Sequence, residues 1–438
     1  MPNQSAVHHL ENLLFFTLLQ LVVIIITARL ANVAARKLGQ PGAVGEMMAG
    51  LILGPSLLGA TFPDAFAWLF KSVSAEPITI ISQIGLTLLM FQIGTDFEFK
   101  HLKSTANRRA LAGITLGSIA LPFALGFWLG NLSQPYLAPN IAKLPYCLFA
   151  AVAMSITAVP ILGRILREFD LNRQKIGVLA ITAAAANDVV GWFMLAVVSS
   201  LAMAKFSVSG TVIQLGLIVG FMLLCWFVVR PLLSRYLTYL LRTSDGTDAA
   251  GVKDDTLPPT VMTTVLAAIM LAGICTYKLG IFAIFGGFIM GTLLHDLPGF
   301  TEKWRRQVGQ FVLVFFLPVF FTYTGLRTNI AGLNSIQLWQ WAAAFFAVAV
   351  ISKVVGAYIG ARIGRLNHHE ALTIGYLMNT RALMELIVLN IGYDLGFIPQ
   401  SLFTMLVMMA IATTVMTGPL LRMTLRRIGH VIPKGIDA

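Results

Sequence analysis

Ile176-Gly-Val-Leu-Ala-Ile-Thr-Ala-Ala-Ala-Ala-Asn187-Asp188-Val-Val-Gly-Trp-Phe-Met-Leu-Ala-Val-Val-Ser199 holds a single charge, Asp188, in about two dozen residues. A stretch this long and apolar has the length of a membrane-spanning helix. An ionised carboxylate at its centre costs at least roughly 2.5–3.5 kcal/mol on insertion scales, so by default it marks an ion or proton path. The plainer reading is an Asp neutralised by a buried partner that merely holds helices together. The features surrounding it favour the path.

Composition agrees with a membrane setting. The 438 residues are 57% hydrophobic and 11% charged, with a mean hydropathy of +0.81, whereas soluble domains run near 25% charged. The chain therefore reads as an all-α polytopic membrane protein whose partner is the lipid bilayer. Its net charge of +12 sits in short loops between spans, which excludes a nucleic-acid partner. Cys147, Cys225 and Cys275 lie far apart in apolar stretches, a pattern for neither a metal nor a disulfide framework. The first hydrophobic run, from Leu13, has no Lys or Arg ahead of it. It reads as a retained helix with its N-terminus outside.

Thirteen apolar runs are separated by polar or Gly/Pro breaks. They fall near residues 13–34, 43–59, 78–95, 110–129, 146–165, 176–199, 212–229, 261–277, 281–294, 308–326, 341–363, 371–391 and 402–421. The least marked break is Lys278-Leu279-Gly280, and the longest polar connection, 243–259, carries Asp245, Asp248, Asp254 and Asp255. With the N-terminus outside, loops on the inner face collect 23 Lys and Arg and those on the outer face 5. That asymmetry places the C-terminus in the cytoplasm and supports an odd number of spans. A bacterial inner membrane is the expected location.

An internal repeat is visible. Gly50-Leu-Ile-Leu-Gly54 in the second run matches Gly287-Phe-Ile-Met-Gly291 in the ninth, and Gly94-Thr95-Asp96 closes the third much as Gly325-Leu326-Arg327 closes the tenth. By the loop count the matched runs point in opposite directions, giving two five-helix inverted repeats, a plan common in secondary transporters. Small residues also recur wherever membrane helices approach closely, which would explain one match alone. The expected division is an N-terminal extra helix (1–42), a first repeat (43–200), connecting helices with a cytosolic linker (201–279), a second repeat (280–425) and a short tail (426–438).

The fourth helix of each repeat carries a break. Pro160 removes a backbone donor and loosens the helix around Thr157. Thr157 and the freed carbonyls are candidate oxygen ligands. In the twelfth run Asn379, Thr380, Arg381 and Glu385 interrupt an apolar sequence. Open backbone at such depth must line a cavity or be satisfied by protein.

Four motifs carry a family resemblance: Ile156-Thr-Ala-Val-Pro-Ile-Leu-Gly-Arg164, Asn187-Asp188, Leu317-Pro-Val-Phe-Phe-Thr-Tyr-Thr-Gly-Leu-Arg-Thr-Asn329 and Met378-Asn-Thr-Arg-Ala-Leu-Met-Glu-Leu386. From about Pro41 to Leu421 the chain resembles monovalent cation/proton antiporters, nearest to the plant cation/H+ exchangers and their bacterial relatives. The resemblance implies the sodium/proton-antiporter fold, with a six-helix ion-carrying core moving against a scaffold that dimerises, hence a homodimer. It implies that Asp188 carries the proton or the cation, that Asn187 supports it and that Thr157 lies in the first crossover. Lys353, in the eleventh run, matches a core lysine, and Arg381 and Glu385 would lie in the second crossover; Pro160 in the first break and Thr380, Arg381 and Glu385 in the second would support the crossovers. Electrogenic members carry two adjacent aspartates; Asn187 in the first place implies electroneutral exchange. Electroneutral members of a sister family carry arginine where Lys353 stands, which points the other way on stoichiometry. Potassium-efflux relatives gated by glutathione carry a nucleotide-binding domain, and with eleven residues after Arg427 no such appended domain is expected.

An antiporter needs a site that holds a proton or a cation but does not cross empty. One carboxylate serves when the two passengers compete for it. Sodium and potassium favour oxygen ligands, which suits Asp188, Asn187 and Thr157; these ions and protons would be the cargo, with no cofactor. Lys353 would neutralise Asp188 between passengers, or act as a structural ion pair. Arg381 and Glu385, a turn apart, suit pairing with each other and with the broken helix ends. Asp96, Glu98 and Arg327 read as paired or solvated at span ends, Glu46 as a packing or snorkelling residue, and the seven histidines as surface groups. A sodium-coupled symporter of an organic solute on a related inverted-repeat fold is the alternative; an enzyme is not expected, since a zinc protease would need His-Glu-x-x-His, which is absent.

Overall fold

In lipid every backbone polar group needs an internal partner, so apolar runs of this length fold as helices. The computed structural model describes residues 2–95, 108–171, 174–203, 208–244, 256–381 and 383–430. Asp96, Glu98, His101 and the linker residues Asp245, Asp248, Asp254 and Asp255 lie outside the described residues.

In chain order, α1 (Pro2–Lys37) and α2 (Gly42–Leu53) precede two short helices, α3 (Leu58–Thr61) and α4 (Pro63–Phe70). Then come α5 (Glu76–Thr95), α6 (Arg108–Leu137), α7 (Lys143–Ser155), α8 (Val159–Glu168) and α9 (Lys175–Met203). The middle of the chain forms α10 (Val208–Leu224), α11 (Arg230–Ser244), α12 (Pro259–Lys278), α13 (Ala283–Leu294) and α14 (Phe300–Trp304). The last five are α15 (Leu317–Arg327), α16 (Ile336–Ile363), α17 (His368–Met378), α18 (Leu383–Asp394) and α19 (Gln400–Arg427). Among the described residues nine helical stretches are long and apolar enough to cross a membrane, or eleven if two bent pairs each count as one. All thirteen apolar runs fall on helix, but two of them meet that length only in part. The helix of the fifth run stops at Ser155, and that of the ninth, α13, has twelve residues. The weak break at Lys278 is real: α12 ends there and Gly280 takes a φ of 76°.

The chain divides into two compact units, Met1–Ser74 with Lys100–Val198 and Phe321–Ala438, and Ala75–Phe99 with Ser199–Phe320. In the first, α6 and α16 touch backbone to backbone. A Cβ on Gly113 or Gly117 would strike the carbonyls of Gly360 and Gly356, and the reverse holds. The lower number meets the higher, so the helices are antiparallel. On α2, a Cβ at Gly54 would strike the carbonyl of Gly325. Gly45 of α2 lies on the Ala31 carbonyl of α1, and the Asn32 amide there donates to Glu46 at 2.5 Å. Glu46 thus joins two helices.

In the second unit α13 lies on α5, where Gly291 meets Phe91 and Gly94. Gly286 of α13 sits on Ala272 and Gly273 of α12. The contacts of the two units correspond: Gly54 with Gly325 in one, Gly291 with Gly94 in the other. These are the glycines matched in the sequence repeat, now paired in space. The hairpins correspond as well, with Ala31 under Gly45 and Ala272 under Gly286 at equal separation along the chain. Each inverted repeat therefore has a further helix ahead of it, α1 before α2 and α12 before α13, packed in the same relation.

Candidate functional site: the crossing of two broken helices

Helix α7 ends at Ser155, and Ile156 continues in extended backbone with ψ 147°. Helix α8 restarts at Val159 with Pro160 in its first turn, where a missing N–H leaves no intrahelical bond unmade. The second break separates α17 from α18, which are bent by 42°. A capping box of Asn367 and Glu370 opens α17, and Asn379 closes it. The two breaks lie against each other. The Ala158 N–H donates to the Thr380 carbonyl at 3.1 Å, and the Thr157 hydroxyl to the Met378 carbonyl at 3.3 Å. Backbone freed by one break is thus satisfied by the other, as this depth demands.

Helix α9 brings Asn187 and Asp188 to this crossing. The Asn187 amide donates to the Ser118 hydroxyl and to the Thr157 hydroxyl, each at 3.1 Å. Asp188 is 2% exposed, and the N–H of Val159, the first of α8, lies against its carboxylate. Asp188 Oδ1 and Asn187 Oδ1 have no hydrogen-bond partner among the described residues. Two acceptor oxygens on adjacent residues are thus buried and open.

The cations come from α16 and the second break. Lys353 is fully buried and donates to the carbonyls of Ser118, at 2.9 Å, and Ser155. Asp188 and Glu385 are the negative charges that act on it. Arg381 donates to the Ala153 carbonyl at 3.3 Å and the Ala349 carbonyl at 3.2 Å, and lies 3.6 Å from Glu385. Lys353 and Arg381 therefore cover the last carbonyls of α7, which have no helical partner of their own. Glu385 stands in the first turn of α18, the end of a helix dipole that favours an anion. From α19, Thr414 donates to the Arg381 carbonyl.

Of the residues singled out in the sequence, Thr157, Asn187, Asp188, Lys353, Thr380, Arg381 and Glu385 meet here, and Pro160 opens α8. Arg327 lies elsewhere, paired with Asp394 at 2.5 Å and stacked 4.0 Å over the Tyr323 ring. Sequence reasoning passed over Ser118, Ser155 and Thr414, and gave Asn379 only as one of the polar residues that interrupt the twelfth run. A signal existed for Thr414: Ala186-Asn187-Asp188-Val189 and Ala412-Thr413-Thr414-Val415 are the corresponding strings of the two repeats. Ser118 and Ser155 carried none, because they act partly through backbone carbonyls that every residue owns.

A charged crossing of broken helices inside inverted repeats defines a secondary transporter. Residues 22–427 match the family profile described as sodium/hydrogen exchanger, transmembrane. The Na(+)/H(+) antiporter NhaS4 of Synechocystis is 34% identical over 93% of this chain and 97% of its own length. Cation/H(+) antiporter 17 of Arabidopsis thaliana is 33% identical over 94% of this chain and 48% of its own length, so the chain spans about half of that plant relative. The solved sodium proton antiporter MjNhaP1 of Methanocaldococcus jannaschii superposes with a TM-score of 0.64 at 16% identity, covering 97% of this chain and all of that one. The chain belongs to the sodium/hydrogen exchanger family. It is an integral, multi-pass membrane transporter and not an enzyme.

Proposed function

We propose that this cation/proton antiporter exchanges one Na+ or K+ for one H+ by alternating access, with Asp188 holding either passenger. The observation that carries the reading is the buried Asp188 carboxylate, with its own Oδ1 and that of Asn187 open at the crossing. Thr157 completes a set of oxygens suited to a monovalent cation. With one carboxylate holding either passenger, each half-cycle moves the same net charge, whatever fixed charge Lys353 and Arg381 supply. That supports electroneutral exchange. The organic-solute symporter is not favoured, since the relatives above are named as antiporters.

Everted vesicles or proteoliposomes given sodium and potassium separately test the reading. Each active cation should dissipate an imposed pH gradient, and Asp188→Asn should not. Under a potassium–valinomycin potential, sodium accumulation driven by voltage alone would overturn electroneutrality and make Lys353 the leading second proton carrier. The same reading puts the N-terminus outside in a bacterial inner membrane, within a homodimer. A cysteine placed at Ser5 that reacts only with cytoplasmic reagents would reverse the topology, and cross-linking in native membranes reports the dimer.

A further inference from the structure

We propose that Asn379, in the second crossover, is a ligand of the transported cation, contributing its amide oxygen opposite Asp188. This rests on the antiporter reading above and adds a binding residue to it. Asn379 is fully buried, and neither its Oδ1 nor its Nδ2 has a hydrogen-bond partner among the described residues. A buried amide left unpaired on both atoms is costly, and in native proteins it calls for an occupant that satisfies it.

Helix capping does not account for the residue. Asn is favoured after a helix when the backbone turns left-handed, but Asn379 has φ −78° and ψ −2°, which any residue adopts. Its backbone N–H already donates to the Gly375 and Tyr376 carbonyls, so ending α17 makes no use of the side chain.

Position ties the residue to the site. The Met378 carbonyl, one peptide unit away, accepts from Thr157, and the Thr157 hydroxyl in turn accepts from Asn187. Asn379 thus stands one link from the group that bonds the neighbour of Asp188. Asn187, Asp188 and Asn379 each carry a buried oxygen with no hydrogen-bond partner among the described residues, and Met378, the neighbour of Asn379, is bonded to Thr157 of the other break. An amide oxygen adds a ligand for a hard cation without adding charge. It does not titrate, so it recognises the cation and is indifferent to the proton. Asn379 therefore separates the two passengers where Asp188 alone treats them as competitors.

The experiment compares the full chain with Asn379→Ala, Asn379→Leu, Asn379→Asp and Asp188→Asn. Exchange is measured in proteoliposomes with sodium and with potassium, and cation-dependent thermal stabilisation in detergent. Removal of one ligand to a charged species should raise the half-saturating cation concentration about tenfold or more in Asn379→Ala and Asn379→Leu. The pH dependence at saturating cation should stay in place, and cation-dependent stabilisation should shrink. Asn379→Asp, which keeps an oxygen, should retain cation dependence. A half-saturating concentration within about twofold of the parent in both apolar variants would overturn the proposal, since it would mean that Asn379 holds only water. Failure of both to accumulate would overturn it too, because the side chain would then be needed for folding. If the unmodified chain exchanges neither cation, or Asp188→Asn remains active, it is the antiporter reading that fails, whatever Asn379 does to cation-dependent stability.

Discussion

In the first crossover the broken segment 156–158 has one polar side chain, Thr157, and its amide and carboxylate arrive from α9 as Asn187 and Asp188. In the second, the broken segment itself carries Asn379, Thr380 and Arg381, and Thr413 and Thr414 of α19 stand where α9 has Asn187 and Asp188. In both, a side chain of the neighbouring helix donates to the broken segment, though from positions that do not correspond. Asn187 donates to Thr157 of one break, and Thr414 donates to the Arg381 carbonyl of the other. The inverted repeats thus supply the same scaffold twice but, in the proposed reading, a passenger-binding carboxylate once. The second copy is built from fixed charges that cover broken helix ends: Arg381 on the Ala153 carbonyl of α7, Glu385 in the first turn of α18.

The largest effect tests that asymmetry directly. Asp188→Asn should reduce sodium and potassium exchange to background in proteoliposomes, with the protein still folded in the membrane. Moving the carboxylate to the other repeat, as Asp188→Asn with Thr414→Asp, should leave exchange at background. Transport by that double variant would break the comparison, because the two crossovers would then be interchangeable.

Next in size is the fixed pair. Arg381→Met alone strands Glu385 in a buried site and should destabilise the protein by about 3–5 kcal/mol, read as a lowered melting temperature in detergent. Adding Glu385→Leu should recover most of the loss, since replacing both ions by apolar groups is often close to neutral. If the double variant is no more stable than the single one, Arg381 serves chiefly the carbonyls of Ala153 and Ala349 rather than Glu385.

Smaller still, Thr414→Val removes the hydrogen bond to the Arg381 carbonyl and should cost about 1 kcal/mol of stability. Exchange should persist, in contrast to the loss at Asp188, and loss of exchange would give Thr414 a role like that of its counterpart. The smallest effect lies away from both crossovers. Arg327 and Asp394 are partly exposed, at 22% and 32% of their side chains. Asp394→Asn should cost at most about 1 kcal/mol, less at high salt. A larger loss would mean that the Tyr323 ring and Asn390, whose Oδ1 accepts from Arg327 at 3.3 Å, depend on this pair for their placement.

Sequence alone determined the class, the helical runs and the presence of two breaks. An apolar run long enough to span lipid folds as helix, and Pro160 or four polar residues within such a run signal its interruption, although Pro122 and Pro419 lie inside the continuous helices α6 and α19. The family, too, was legible in the motifs around Asn187-Asp188 and Met378–Leu386, and the profile match over residues 22–427 bears it out. The glycine pattern announced a repeat of five helices; the contacts of Gly45 with Ala31 and of Gly286 with Ala272 add one more to each half. Only the tertiary structure decided which groups satisfy the buried charges. Lys353 finds carbonyls at Ser118 and Ser155, and Arg381 at Ala153 and Ala349, all more than thirty residues away along the chain. Carbonyl oxygens are alike in every residue and leave no mark in a sequence. What makes four of them acceptors for two buried cations is that their helices stop, or press together, beside Lys353 and Arg381.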